Sequence, residues 1–152
     1  MMRAAGARVY YGFDLFEDGS KELDKLEFNA KPRQTLEAVS NRLMGKIHFE
    51  LFKGNSKETL PLFLSEFGQN SVDFAYIDGG HSVETIQSDW DHVKEIIKPD
   101  GMVIFDDYYI DRDTSEVGCN QIVEKLSHDI LPIADPVIGG GKVQLVLVRN
   151  MK

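Results

Sequence analysis

Apolar residues fall along this chain in two rhythms. Short continuous runs, Val9–Phe13, Val72–Ile77 and Met102–Phe105, are rich in β-branched and aromatic residues and bounded by Gly, Pro or Asp. Such runs predict strands buried on both faces, as in a parallel sheet. Between the last two, Val83, Ile86, Trp90, Val93 and Ile97 recur at helical spacing, with Ser82 placed to cap. That unit is strand–helix–strand, and Lys98-Pro99-Asp100-Gly101 is expected to end its helix in a turn. A helix is predicted from Pro32 to about Met44, with Leu36, Val39 and Leu43 on one face and Gly45 beyond its end. Ile47–Lys53 alternates, which predicts a strand with one partly exposed face, and Gly54-Asn55-Ser56 breaks it. A helix from about Thr59 to Phe67 follows, with Pro61 in its first turn. Val117–Ile130 reads as another helix. Leu131–Ile138 and Val143–Val148 form a closing pair joined through Gly139-Gly140-Gly141. Lys21–Phe28 fits either a short helix or an ordered loop. The expected fold class is α/β, a mostly parallel sheet with an antiparallel C-terminal strand pair.

The strand ends carry the chemistry. Asp14, Asp78 and Asp106-Asp107 each follow a predicted strand, and open parallel sheets bind ligands outside the carboxyl ends of their strands. Carboxylates on adjacent strands, about 4.8 Å apart, cannot all stay ionised without a partner. A hard divalent cation such as Mg²⁺ on Asp78, Asp106 and Asp107 would solve this. It would also lower the pKa of a bound hydroxyl. The plainer reading has two of them capping helices and one facing water. His81, after Gly79-Gly80, is placed to take a proton from a hydroxyl or amine; a His bonded to a loop carbonyl weighs about equally. His48, His92 and His128 lie in strand or helix contexts and read as structural. Gly140-Gly141-Lys142 lacks a phosphate-loop frame and precedes a strand.

Length and charge narrow the partners. A chain of 152 residues is expected to form one domain. The net charge of -8 and the absence of a basic stripe argue against nucleic acid and anionic membranes. No apolar run is long enough to span a membrane. The lone Cys119 excludes an intrachain disulfide and fits a reducing cytoplasm.

The segments G-F-D-L-F, K-G-N-S-K-E-T-L-P, D-F-A-Y-I-D-G-G-H-S and K-P-D-G-M-V-I-F-D-D-Y, in that order, resemble class I S-adenosylmethionine-dependent methyltransferases. They are most similar to the small-molecule, macrocin-type members with I-D-G-x-H after the fourth strand. The resemblance implies a Rossmann-like methyltransferase sheet. It implies S-adenosylmethionine as cofactor, with Asp14 on the ribose hydroxyls and Phe16, Gly54, Asn55, Ser56 and Asp78 completing the adenosine side. It also implies a divalent metal on Asp78, Asp106 and Asp107, and catalysis by His81 and Asp78. Some metal-binding relatives carry an acidic residue where this chain has Gly80, which leaves His81 as the nearby base. The family's first strand and glycine-rich loop have no counterpart before Asp14, where only Gly6 and Gly12 occur. The pattern thus reads as an N-terminally shortened domain, or one that closes its sheet differently, with weak cofactor binding expected. The expected function is metal-assisted methyl transfer to a small-molecule hydroxyl, or an amine. Its rivals are a non-catalytic binding module and a metal-independent methyltransferase. An unfilled sheet edge would favour self-association.

Overall fold

The computed structural model describes residues 6–18, 35–133, 137–138 and 141–149. The chain resolves into two compact units, Met1–Thr59 and Leu60–Lys152.

In the first unit, β1 (Val9–Asp14) and β2 (His48–Lys53) pair in parallel from Val9↔His48 to Asp14↔Lys53, so their carboxyl ends coincide. The rings of Phe13 and Phe52 stack at 4.8 Å across this pair. Helix α1 (Leu36–Leu43) starts at Thr35, whose Oγ1 accepts the Ala38 N–H at 3.1 Å. The expected start at Pro32, like the segment Lys21–Phe28, lies outside the described residues. Helix α2 (Ser56–Phe67) begins earlier than the expected Thr59 because Asn55 caps it. The Asn55 side-chain oxygen accepts the Lys57 N–H at 3.0 Å, and its carbonyl accepts those of Glu58 and Thr59. Pro61 therefore sits inside the helix rather than in its first turn.

The second unit is built on a sheet with the order β3–β4–β7–β5. β3 (Val72–Ile77) and β4 (Ile97–Ile110) are parallel; β7 (Gly141–Arg149) runs antiparallel to β4, and β5 (His128–Leu131) antiparallel to β7. The short β6 (Val137–Ile138) also pairs with β7, across Gly139 and Gly140, which lie outside the described residues. The α/β class with an antiparallel C-terminal part is as expected. Helix α3 (Val83–Ile96) is capped by Ser82, whose Oγ accepts the Thr85 N–H at 3.1 Å. Its stripe packs Ile86, Trp90 and Val93 onto Ile77, Val103, Phe105, Val146 and Val148. The Trp90 and Phe105 rings lie 5.5 Å apart. Each such side chain contributes about 1.5–3 kcal/mol by leaving water.

Three expectations are corrected here. The predicted helix Val117–Ile130 shrinks to α4 (Asn120–Val123). Only Ile122, Val123 and Leu126 had helical spacing toward the core, and from His128 onward pairing with the edge of β7 prevails. Lys98–Gly101 is extended and part of β4, not a turn, because Val72 already pairs with Ile97. Gly101 is needed there, since a Cβ would lie 2.7 Å from Ile97 Cγ1 and 3.1 Å from the Asp73 carbonyl. Finally, β4 does not stop at Asp106-Asp107 but passes through them to Ile110.

After β4 the chain returns along the α3 start. Ser82 bridges to Val117, and the Gly118 N–H donates to the His81 carbonyl at 2.9 Å. Gly118 has a φ of +82°, and a Cβ there would fall 2.5 Å from Tyr109 Cδ2 and 2.6 Å from the Asp107 carbonyl. Gly118→Ala should therefore lower unfolding stability by roughly 2–4 kcal/mol, from left-handed strain plus overpacking. Ser82→Ala should cost only about 1 kcal/mol through the lost cap. Urea titrations of both variants check the ranking.

Candidate active site

At the carboxyl end of the first unit's strand pair, Asp14 Oδ1 accepts the Phe16 N–H at 2.6 Å and the Asp14 carbonyl accepts the Gly54 N–H at 3.0 Å. Phe16 holds a φ of 51° with its residue buried, so its ring packs inward rather than offering a stacking face. Gly54, at φ +140°, takes a conformation that side chains rarely adopt and keeps the backbone bare beside Asp14. Asn55 Oδ1 is engaged in its cap, and Ser56 opens α2 half-buried. Lys53 reaches across to Asp18 at 2.9 Å.

In the second unit, Asp78 and Asp106 stand at the same end of the parallel pair β3–β4. Strand alternation sorts the side chains by face. Ala75, Ile77, Val103 and Phe105 turn to the core, and Phe74, Tyr76, Met102 and Ile104 turn to the other side. Asp106 continues the second set, and the Tyr76 hydroxyl donates to Asp106 Oδ2 at 2.5 Å. β4 then takes up one extra residue: Phe105 to Tyr108 on one strand faces Val146 to Gln144 on the other. This is a β-bulge, which re-aims a side chain at the cost of local pairing. Asp107 is the residue that absorbs it, at a φ of 60°.

The bulge turns Asp107 toward the loop before α3. Its Oδ2 lies 3.2 Å from His81 Nε2, and its Oδ1 accepts the Tyr109 hydroxyl at 3.1 Å. The Asp107 N–H donates to Asp106 Oδ1 at 2.8 Å, and its carbonyl accepts the Cys119 N–H. Asn120, buried, completes the frame by accepting from Tyr109 N–H at 3.0 Å and donating to the Tyr109 carbonyl at 2.9 Å. Arg112 lies over the Tyr109 ring, 4.7 Å from its centroid.

These contacts set the electrostatics. Partial burial of the carboxyl, then the charges of Asp106 and Asp107, push Asp78 up to about 7, although the residue as a whole is exposed. The acidic neighbours thus favour the protonated form of Asp78 near neutrality. Asp107 is also raised, by burial above all, while His81, the Tyr109 hydroxyl and Arg112 act against the rise. Burial and the Asp107 charge raise the Tyr109 phenol to about 12.

The expected metal set of Asp78, Asp106 and Asp107 is not assembled. Among the described residues no group of acidic, His or Cys side chains is arranged to hold an ion. Consecutive carboxylates on a strand point apart, and the bulge sends Asp107 to His81 and Tyr109 while Asp106 pairs with Tyr76. The donor atoms are turned on one another, and a resident cation does not fit them as they stand.

The comparisons with known proteins bear on this geometry. Residues 1–108 match the family described as "Methyltransferase domain". The chain belongs to that family. A solved structure of a Burkholderia thailandensis 1,6-didemethyltoxoflavin-N1-methyltransferase, with 1,6-didemethyltoxoflavin and S-adenosylhomocysteine bound, aligns over 99% of this chain and 75% of its own. Its TM-score is 0.51 at 11% identity, a likeness of fold. The CurJ carbon methyltransferase aligns over 96% of this chain and 49% of its own, with a TM-score of 0.49 at 9% identity. No curated protein matches the chain. In this methyltransferase domain, no helix among the described residues is long and apolar enough to cross a membrane.

Sequence reasoning placed Asp78, Asp106, Asp107 and His81 together in one neighbourhood, and the structure brings them there. It missed Tyr76, Tyr109 and Asn120. Tyr76 was legible as the outward residue next before Asp78 in the β3 alternation. Asn120 had no signal, since its partner is backbone eleven residues away.

The raised Asp78 pKa sets a pH dependence. Between about 4 and 7 the folded domain holds a proton that the unfolded chain releases, so stability falls as pH rises through that window and levels off above it. In Asp78→Asn the fall in melting temperature from pH 5 to pH 8 should shrink, leaving the part owed to Asp107. An unchanged slope would show that Asp78 does not hold that proton. Millimolar Mg²⁺ should leave the melting temperature where it was. A rise abolished by Asp107→Asn would show that the carboxylates open to take a cation.

Proposed function

We propose that this methyltransferase domain moves the methyl group of S-adenosylmethionine to a small-molecule hydroxyl, with His81 as the proton acceptor. The observation that carries the reading is the His81 Nε2–Asp107 Oδ2 contact of 3.2 Å, built on a strained bulge at the carboxyl end of β4. The acceptor oxygen attacks the methyl carbon, the carbon–sulfur bond breaks, and its electron pair goes to sulfur to leave S-adenosylhomocysteine. The hydroxyl proton passes to the His81 imidazole, and the Asp107 carboxylate stabilises the imidazolium. Arg112 over Tyr109 forms one wall near that contact. The Asp78 carboxyl, raised to about 7, is the second group able to take a proton near neutrality. The cofactor reading is supported by the family and by the S-adenosylhomocysteine in the Burkholderia neighbour. On it, Asp14 would accept ribose hydroxyls through Oδ2, and Gly54 would let backbone approach the adenine.

A second reading is a binding module without turnover. It is favoured by the commitment of Asn55 Oδ1 to its cap and by the burial of Phe16, which leave the adenine side thinly furnished.

Radiolabelled S-adenosylmethionine with a panel of small acceptors (catechol, a hexopyranoside and an N-heterocycle) separates the two. We expect transfer to a hydroxyl acceptor, a loss of roughly 10²–10⁴-fold in kcat for His81→Ala, and a smaller loss for Asp107→Asn. If Asp78→Asn instead carries the larger loss, Asp78 is the base. No transfer by the wild-type chain, together with no heat from S-adenosylhomocysteine, would establish the module.

A further inference from the structure

The loop Asp78–His81 carries both proton-accepting candidates, and its far end is tied down by the Gly118–His81 hydrogen bond and the Ser82–Val117 bridge. Its near end rests on α3. Among the buried residues of that helix, Ile86, Asp89, Trp90, Val93 and Ile96, one is acidic. Asp89 is 7% exposed, and its Oδ2 lies 3.0 Å from the point where a Cβ on Gly79 would sit. Gly79 does not occupy the left-handed region, so its backbone conformation is one that any residue adopts. A side chain at position 79 would press on the carboxylate beneath it, which would have to give way.

We propose that Asp89 is a positioning residue for methyl transfer. It supports the loop from below, and through it sets the approach of His81 to Asp107 and of Asp78 to Asp106. A carboxylate buried on an otherwise apolar stripe costs folding free energy, and its Oδ2 is turned toward the loop at Gly79. Gly79 follows as the matching half of the same contact. The functional meaning rests on the reading of His81 given above, whereas the positioning itself is independent of it.

The test compares Gly79→Ala, Asp89→Ala, Asp89→Asn and the double variant Gly79→Ala/Asp89→Ala in the full chain. Carbon-13 correlation spectra of the His81 ring report the position of the loop. Gly79→Ala and Asp89→Ala should each move the His81 resonances while the methyl signals of Val103 and Val146 stay in place. Asp89→Asn, which keeps the shape, should move them least. Removing the Asp89 carboxylate makes room for the new methyl, so the double variant should show less than the sum of the single effects. On the acceptor found by the panel, Asp89→Ala should lose roughly ten- to a hundredfold in kcat with little change in the KM for S-adenosylmethionine. A purely structural Asp89 would lower the melting temperature without that split. His81 resonances unmoved in Asp89→Ala, or additive effects in the double variant, would overturn the proposal. If Asp89→Ala does not fold, Asp89→Ser shortens the side chain and decides the same question. If the wild-type chain methylates nothing, the functional reading fails, and the spectra still accept or reject the positioning.

Discussion

Asp107 holds a φ of 60° in a strand that must pair with β7 on both sides of it, and residues 118–120 settle that conflict. A non-glycine residue in this region costs on the order of 1 kcal/mol or more. The cost is offset by the Cys119 N–H on the Asp107 carbonyl and by the two Asn120 bonds that take over the Tyr109 backbone. At about 1 kcal/mol net for each buried hydrogen bond, three bonds outweigh one strained residue. The bulge therefore persists because α4 begins where it does. Gly118 is part of the same solution, since only a glycine can pass between Tyr109 and the Asp107 carbonyl.

The bulge also determines how the acidic residues are satisfied. A regular strand would set Asp106 and Asp107 on opposite faces and leave Asp107 pointing at the core behind Phe105. The extra residue instead delivers it to His81 and Tyr109, while Asp106 stays with the Tyr76 hydroxyl. Negative charge that a cation would neutralise in a more open cluster is met here by two phenol hydroxyls and an imidazole. The Asp78 carboxyl, pushed up to about 7, is poised beside this bulge.

Much of this was legible in the sequence. The α3 stripe with its Ser82 cap, the buried runs of β1 and β3, and the acidic strand ends follow from periodicity and turn chemistry, which are local. What was not legible depends on long-range pairing. Lys98–Gly101 has the composition of a turn, yet β3 holds it extended through the Val72–Ile97 pair. His128–Leu131 continues a helical rhythm, yet the open edge of β7 takes it as a strand. Asp106-Asp107 reads as a strand end because two acidic residues rarely sit inside a sheet, and nothing local announces that α4 will hold a bulge open for them. The metal expectation met the same limit: spacing placed three carboxylates close together but could not say which way each would point, and among the described residues they are not arranged around an ion.

Asp89 shows how such long-range demands leave a trace all the same. An acidic residue at position 89 falls between Ile86 and Val93 on the inward face of α3, where apolar burial alone would put another aliphatic side chain. Burying a carboxylate there opposes folding, and the helix is otherwise well formed, with its cap and its Trp90–Phe105 contact. The Asp89 Oδ2 faces the backbone of Gly79, 3.0 Å from where a Cβ would sit. A polar residue that breaks the apolar pattern of a helix is thus a place to look for a demand from outside it, and here the nearest such neighbour is the loop before α3.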